Sequence, residues 1–259
     1  MNYDKNNDDE DAWYYADGNG RIYTAAFKTI KGKKYAFRED GRMVNGLKFI
    51  KQNNAGEIIG VVADDNTGHP FDTEDDFVKN APYWNENGYY CYYFGDGNDG
   101  AMKTNKTNIT IDGDSFKLSN FEKSGGHKGA GVTGEEDDKL YQSGMLLKAD
   151  SDDKYIVVEK TSHYEGDKVK YTTYRKLDDA KEFMNADGVQ VKDELDGKNG
   201  NDAVNIGNGN TKKAEDLSEA YSITYKDKDA KGDKKEYILV NTSGKIVDGK
   251  GKNKDGSDY

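Results

Sequence analysis

The residues best suited to chemistry in this 259-residue chain are its aromatics, and they come in pairs and triplets. The ligand candidates are Trp13-Tyr14-Tyr15, Tyr35 with Phe37, Trp84, and Tyr90 with Tyr92 and Tyr93. An aromatic face stacks on the C–H side of a sugar ring, while a tyrosine hydroxyl or a nearby Asp or Asn bonds the sugar hydroxyls. The same side chains are what neighbouring hairpins need for packing, so each candidate carries two readings. Alternation along an extended chain predicts that Tyr14 faces away from Trp13 and Tyr15. Trp84, just after Pro82-Tyr83, is read in a loop.

Other chemistry has little to stand on. His69, His127 and His163 share no motif, and neither His-Glu-x-x-His nor Gly-x-Ser-x-Gly occurs, so no enzyme activity is expected. Cys91 lies inside an aromatic strand, where a packed thiol is expected. Asp96-Gly97-Asn98-Asp99-Gly100 and Asp112-Gly113-Asp114 offer hard oxygens without the spacing of a complete calcium loop. Gly200-Asn201-Asp202-Ala203-Val204 matches half of a calcium-binding nonapeptide, once. These read as solvated turns; no metal and no cofactor is expected. With 49 acids against 38 bases, a net charge of −11 and a pI near 4.9, the chain is no candidate for nucleic acid. No apolar run approaches the roughly 20 residues of a membrane span, so membrane insertion is not expected. The start, Met1-Asn2-Tyr3-Asp4-Lys5 before an acidic run, does not resemble a signal peptide. One cysteine allows no internal disulfide, and the composition is compatible with a secreted or cell-surface Gram-positive protein.

The elements that must position the aromatics are hairpins. Only 34% of residues are apolar against a usual share of about 45–50%, too few for a thick core. Yet 19 Tyr, 9 Phe and 30 Gly suit a thin β structure with many turns. One pattern recurs: an aromatic pair, a few polar residues, a small polar residue with Gly, then Met or Ile within two positions. It runs through Gly20, Gly41, Gly100 and Gly244, with degenerate copies at Tyr141 with Ser143-Gly144-Met145 and at Phe183 with Asp187-Gly188-Val189. Successive clear glycines fall near multiples of about 20 residues. Asp-Gly and Asn-Gly supply the positive φ of tight hairpin turns, and stacked hairpins cover one another's aromatic faces. The fold class read here is all-β: repeated β-hairpins in a solenoid-like array, with longer irregular β insertions and one or two short helices. Glu57 to Val62 reads as a short buried strand, Asp64 to Asp76 as a loop whose Thr73-Glu74-Asp75-Asp76 can begin a helical turn. Tyr155-Ile156-Val157-Val158 and Lys168 to Tyr174 read as strands paired across Gly166-Asp167, and short helices are expected near Leu177–Asn185 and Lys212–Ala220. The expected organisation is repeats at 1–50, an irregular insertion at 51–85, diverged aromatic hairpins at 86–195, a Gly/Asn linker or loop at 196–210, and a C-terminal repeat at 211–259.

At Asp11 to Ile22, Gly32 to Gly46 and Asn87 to Asn105 the chain resembles the cell-wall-binding repeat family, which includes choline-binding and glucan-binding modules of Gram-positive surface proteins. That resemblance implies hairpin solenoids with ligands held by aromatics between neighbouring repeats. It covers 11–48 and 86–105 well, 235–259 fairly and the rest poorly. Repeats that bind choline usually continue Thr-Gly-Trp after the turn; here Asn45-Gly46 is followed by Leu47, and Asn105 by Lys106. A choline cage needs several aromatic faces, Trp best, and only Trp13 and Trp84 exist. The expectation is therefore a non-catalytic module for a cell-wall polymer or other glycan, part of a longer multidomain chain. The alternative is a structural stalk or host-adhesion segment without a glycan pocket.

Overall fold

The computed structural model describes residues 12–62, 68–95, 99–105, 107–111, 114–116, 120–151, 153–177, 203–205, 211–213, 227–228 and 233–247. The chain divides into two compact units, Met1–Gly131 and Val132–Tyr259. The described elements are short antiparallel strands with one helix.

In the first unit, β1 (Ala26–Ile30) and β2 (Lys33–Phe37) form a hairpin closed by Lys31-Gly32. Both turn residues have positive φ, 49° and 81°, as the two-residue turn with matching twist requires. β3 (Leu47–Gln52) lies between β4 (Ile58–Val62) and β5 (Tyr90–Tyr93), with the helix α1 (Glu74–Glu86) in the connection. Successive residues of a strand point to opposite faces, and β3 buries both. Ile50 joins Ala36, Val44, Ile58, Tyr92, Phe94 and Ala130 in one core. Phe49, its neighbour, packs instead under α1 against Phe71, Phe77 and Trp84, with ring centroids 5.0, 5.7 and 6.2 Å away. Burying Phe77 and Trp84 stabilises the helix's seat by about 1.5–3 kcal/mol per side chain.

The sequence signal at Thr73 marks the start of α1: the Thr73 hydroxyl oxygen accepts from the Asp76 N–H, and three acids fill the first turn beside the positive end of the helix dipole. The rest of α1 was hidden by Pro82, which lies inside it. Trp84 is thus on a helix rather than in a loop. A small hairpin of β6 (Ile109–Ile111) and β7 (Asp114–Phe116) completes the described strands of this unit.

In the second unit β8 (Gly134–Glu136), β9 (Lys139–Gln142) and β10 (Met145–Leu146) form a meander with two-residue turns, Asp137-Asp138 and Ser143-Gly144, all four residues at positive φ. The long strands β11 (Tyr155–Glu165) and β12 (Lys168–Leu177) pair across Gly166-Asp167 as the sequence suggested. Two short strands, β13 (Ala203–Asn205) and β14 (Thr211–Lys213), pair with each other. β15 (Asp227–Lys228) and β16 (Lys234–Asn241) extend the large sheet in the order β12-β11-β16-β15. Val157, Leu177 and Leu239 form its apolar cluster. Lys212 and Lys213 are in β14, so a helix does not begin at 212, and Leu177 ends β12; the rest of those two segments, the copy at Phe183, the Gly200–Asp202 part of the nonapeptide match, Asp96–Asn98 and the last twelve residues lie outside the described set.

Three of the recurring glycines, and Gly56 with them, share one hydrogen-bonded turn. Gly20 N–H donates to Asp17 O, Gly41 to Arg38 O, Gly56 to Asn53 O and Gly244 to Asn241 O, each at 2.9–3.0 Å, and each glycine has φ between 76° and 85°. This is the three-residue hairpin loop that ends on a left-handed residue. Where the turn opens with Asp17, Asn53 or Asn241, its side-chain oxygen accepts two further backbone N–H groups.

The hairpins also join in a fixed register. Two residues beyond the turn glycine, Met43 N–H donates to Trp13 O, Met102 to Lys34 O, Gly131 to Cys91 O and Ile246 to Asp138 O, at 2.7–2.9 Å. Five residues beyond, Ala25, Gly46, Asn105 and Ala149 donate to Arg38, Gly95, Phe121 and Asn241. Turn glycines press on the side chain two residues past the preceding turn: a Cβ on Gly41 would sit 2.8 Å from Ile22 Cγ2, and one on Gly244 would sit 2.6 Å from Leu146 Cδ1. Cβ atoms on Gly100 and Gly129 would collide with Met43 and Met102 in the same way. Gly20 alone of this series faces open space.

Candidate functional site

The first unit's first two hairpins form an aromatic cleft. Ala16 bridges Ile22, Tyr23 N–H donates to Tyr15 O at 3.0 Å, and Met43 N–H donates to Trp13 O at 2.7 Å, so the Trp13-Tyr14-Tyr15 backbone is held from both sides. Tyr15 stacks on Tyr23 with centroids 5.9 Å apart and planes 5° from parallel, and Tyr23 rests on Phe37 at 5.7 Å. The resulting cavity, about 420 Å³, is lined by Trp13, Tyr14, Tyr15, Tyr35, Phe37, Met43, Ile30, Lys31, Lys33 and Asp99. Trp13 is 54% exposed, Tyr14 50% and Tyr15 41%. Tyr35 is half-buried, and Phe37, closed off from solvent, floors the cleft. All three N-terminal aromatics share this cavity, whereas strict alternation would turn Tyr14 away. The segment is held by one isolated bridge rather than a pleated ladder, so the period of two does not apply to it.

The other candidates go elsewhere. Tyr92 and Tyr93 are buried in β5, Trp84 is buried under α1 with its indole N–H donating to His69 O at 3.0 Å, and Tyr90 stacks on His127 with centroids 4.1 Å apart. Phe37, Trp84, Tyr92 and Tyr93 present almost no face to solvent; here they are packing side chains. Burial pushes the Tyr92 hydroxyl far above its ordinary value and raises the Cys91 thiol likewise, which keeps both neutral.

One offset explains why the cleft is not repeated at the next junction. Lys34 stands seven residues before Gly41, where Trp13 stands seven before Gly20. Its ammonium lies 4.7 Å from the Phe27 ring centroid, and burial, with Lys128 nearby, lowers its pKa. A tethered cation thus covers an aromatic face at the second junction.

On the cleft's rim, Lys103 is ion-paired with Asp99, and its hydrogen bond holds the Asp99 carboxyl below the usual range. The signal for Lys31, Lys33 and Asp99 is weak in sequence; only the fold brings them to the aromatics.

The second unit holds a line of groups that sequence motifs do not reveal. His163 Nδ1 is 2.7 Å from Asp233 Oδ2, and Nε2 is 3.2 Å from Thr173 Oγ1; Tyr164 N–H donates to Asp233 Oδ1. Thr173 is 4% exposed in the middle of β12, so its hydroxyl is not open to a substrate. The line ties β11 to β12 and to the start of β16. Nearby, buried Glu159 lies between Lys235 at 3.2 Å and Arg175 at 3.8 Å. Among the described residues no three His, Cys, Asp or Glu side chains gather as a metal site would need, and no helix is long and apolar enough to cross a membrane.

No family model matches the chain, and no curated protein matches it. Solved structures resemble parts of it. Choline-binding protein F of Streptococcus pneumoniae, crystallised in the presence of a peptidoglycan analogue, is 23% identical over 54% of this chain and 39% of its own, with a TM-score of 0.16. The modular autolysin LytC of the same organism is 14% identical over 62% of this chain and 31% of its own, with a TM-score of 0.17. The chain spans well under half the length of either.

Proposed function

We propose that this chain is a non-catalytic cell-wall- or carbohydrate-binding repeat module of a Gram-positive surface or secreted protein, with the cleft of Trp13, Tyr14, Tyr15 and Tyr35 as its ligand site. One observation carries this reading: three adjacent aromatics, each 41–54% exposed, wall a cavity of about 420 Å³. Exposed aromatic side chains cost free energy in water, and a cleft of this size suits one or two sugar rings. The hairpin register, shared by junctions in both units, supports a solenoid-like arrangement of repeats, attached to or positioning the remainder of a longer protein. At the next junction Lys34 occupies the position of Trp13, so among the described residues the reading rests on the first cleft.

The test is retention of the chain on purified peptidoglycan, teichoic acid and α-glucan, with Trp13→Ala and Tyr35→Ala variants whose circular dichroism matches the parent. Retention on one polymer that falls at least about tenfold in both variants, the loss of about 1.4 kcal/mol expected from one stacked ring, supports the module. Equal retention of parent and variants sinks it. A second reading, a structural stalk, is favoured by the burial of Phe37, Trp84, Tyr92 and Tyr93. It predicts no retention on any polymer and an unchanged Trp13→Ala phenotype.

A further inference from the structure

Resting on that reading of the cleft, we infer that its ligand is an anionic saccharide, one whose sugar carries a carboxylate or a phosphate, rather than a neutral glycan or a quaternary amine. Two lysines, Lys31 and Lys33, line it, placed on either side of Gly32 by the two-residue turn that joins β1 to β2. Among the described residues lining the cleft the carboxylate is Asp99, ion-paired with Lys103 and also within electrostatic reach of Lys33. Among the described lining residues the balance is therefore positive, in a chain whose net charge is −11. A ring lying on Trp13 and Tyr35 has its substituents within reach of the rim, where an anion gains from both lysines. A cation there meets two like charges, each disfavouring it across a few ångströms. The excess of acids elsewhere repels an anionic polymer at long range, so the contact is short-range, and salt must weaken it.

The experiment is calorimetric titration of the full chain with four probes: a neutral N-acetylglucosamine tetramer, a galacturonate tetramer, a sugar-substituted glycerol phosphate oligomer, and choline chloride. At low salt at least one anionic probe should bind about fivefold or more tighter than the neutral tetramer, and the better of the two says which anion the cleft is built for. The preference should shrink below about twofold at 0.5 M salt. Lys31→Gln and Lys33→Gln should each weaken anion binding about two- to fivefold, more than either weakens neutral-sugar binding. These variants lie on an exposed turn and keep the fold, which circular dichroism checks. Equal, salt-insensitive binding of neutral and anionic sugars overturns the inference and leaves the cleft reading intact. Tighter binding of choline than of either anion also overturns it. Binding of none of the probes overturns both.

Discussion

Replacing Gly244 with Ala tests whether the hairpin register is held by the press of a turn glycine on the preceding hairpin. Gly244 has φ 76°, so any Cβ there pays for the left-handed region, about 1–2 kcal/mol. It also meets Leu146 at three atoms, Cδ1 at 2.6 Å, Cγ at 2.9 Å and Cδ2 at 3.1 Å. Clearing all three atoms requires Leu146 to change its χ1 rotamer, so overpacking adds about 1–3 kcal/mol. Gly166 is the control: φ is 65°, in the same unit, with nothing within 4 Å of its would-be Cβ. Gly166→Ala should therefore lose about 1 kcal/mol and Gly244→Ala about 3 kcal/mol. The assay is urea unfolding followed by far-ultraviolet circular dichroism. Tryptophan emission, from Trp13 and Trp84 in the first unit, should be less affected. In a double-mutant cycle with Leu146→Ala, the coupling should return about 1–2 kcal/mol, because the shortened side chain vacates the space. Equal losses from Gly244→Ala and Gly166→Ala, or a coupling within about 0.5 kcal/mol of zero, would refute the reasoning.

Three further outcomes are expected. Ala25 has φ 48° where Gly46 and Asn105 stand in corresponding junctions, so Ala25→Gly should relieve strain and stabilise the first unit by about 0.5–1 kcal/mol in thermal melting. Thr73→Ala removes the cap of α1 and should cost about 1 kcal/mol, seen as earlier quenching of buried Trp84 in denaturant. Burial raises Tyr92, then Tyr90 and Cys91 add to the shift, with Tyr141 and Tyr174 raised chiefly by burial as well. A folded pKa above the unfolded value near 10.0 gives stability that is complete below that pH and declines above it. Alkaline unfolding should therefore begin above pH 10, and Tyr92→Phe should move its midpoint upward, read by circular dichroism against pH.

The hairpins were legible because their turns demand chemistry that residues advertise. Gly20, Gly41, Gly100, Gly144 and Gly244 each follow a small polar residue and precede Met, Ile or Leu by two positions, and each sits at positive φ. Gly129 takes the same place in the register but was missed: its hairpin has a longer loop from Glu122, and Gly131 replaces the apolar residue. Exposure was not legible. Trp13 and Lys34, or Tyr14 and Tyr35, hold equal offsets from their glycines, and only the stacking of one hairpin on the next decides which rings are covered. Two faces of β3 are buried because α1 folds over Phe49, and Pro82 hid the length of that helix from a reading by local propensity.

Two contacts of the register are made by thioethers, Met43 beneath Gly100 and Met102 beneath Gly129, while Ile22 and Leu146 serve elsewhere. Sulfur in that position makes the first unit sensitive to peroxide: a sulfoxide places a polar oxygen against a backbone that leaves no room for it. Met43 also lines the aromatic cleft, so its oxidation would loosen the seam between hairpins and alter the ligand wall in one event. The corresponding contact of Leu146 with Gly244 in the second unit has no sulfur to oxidise.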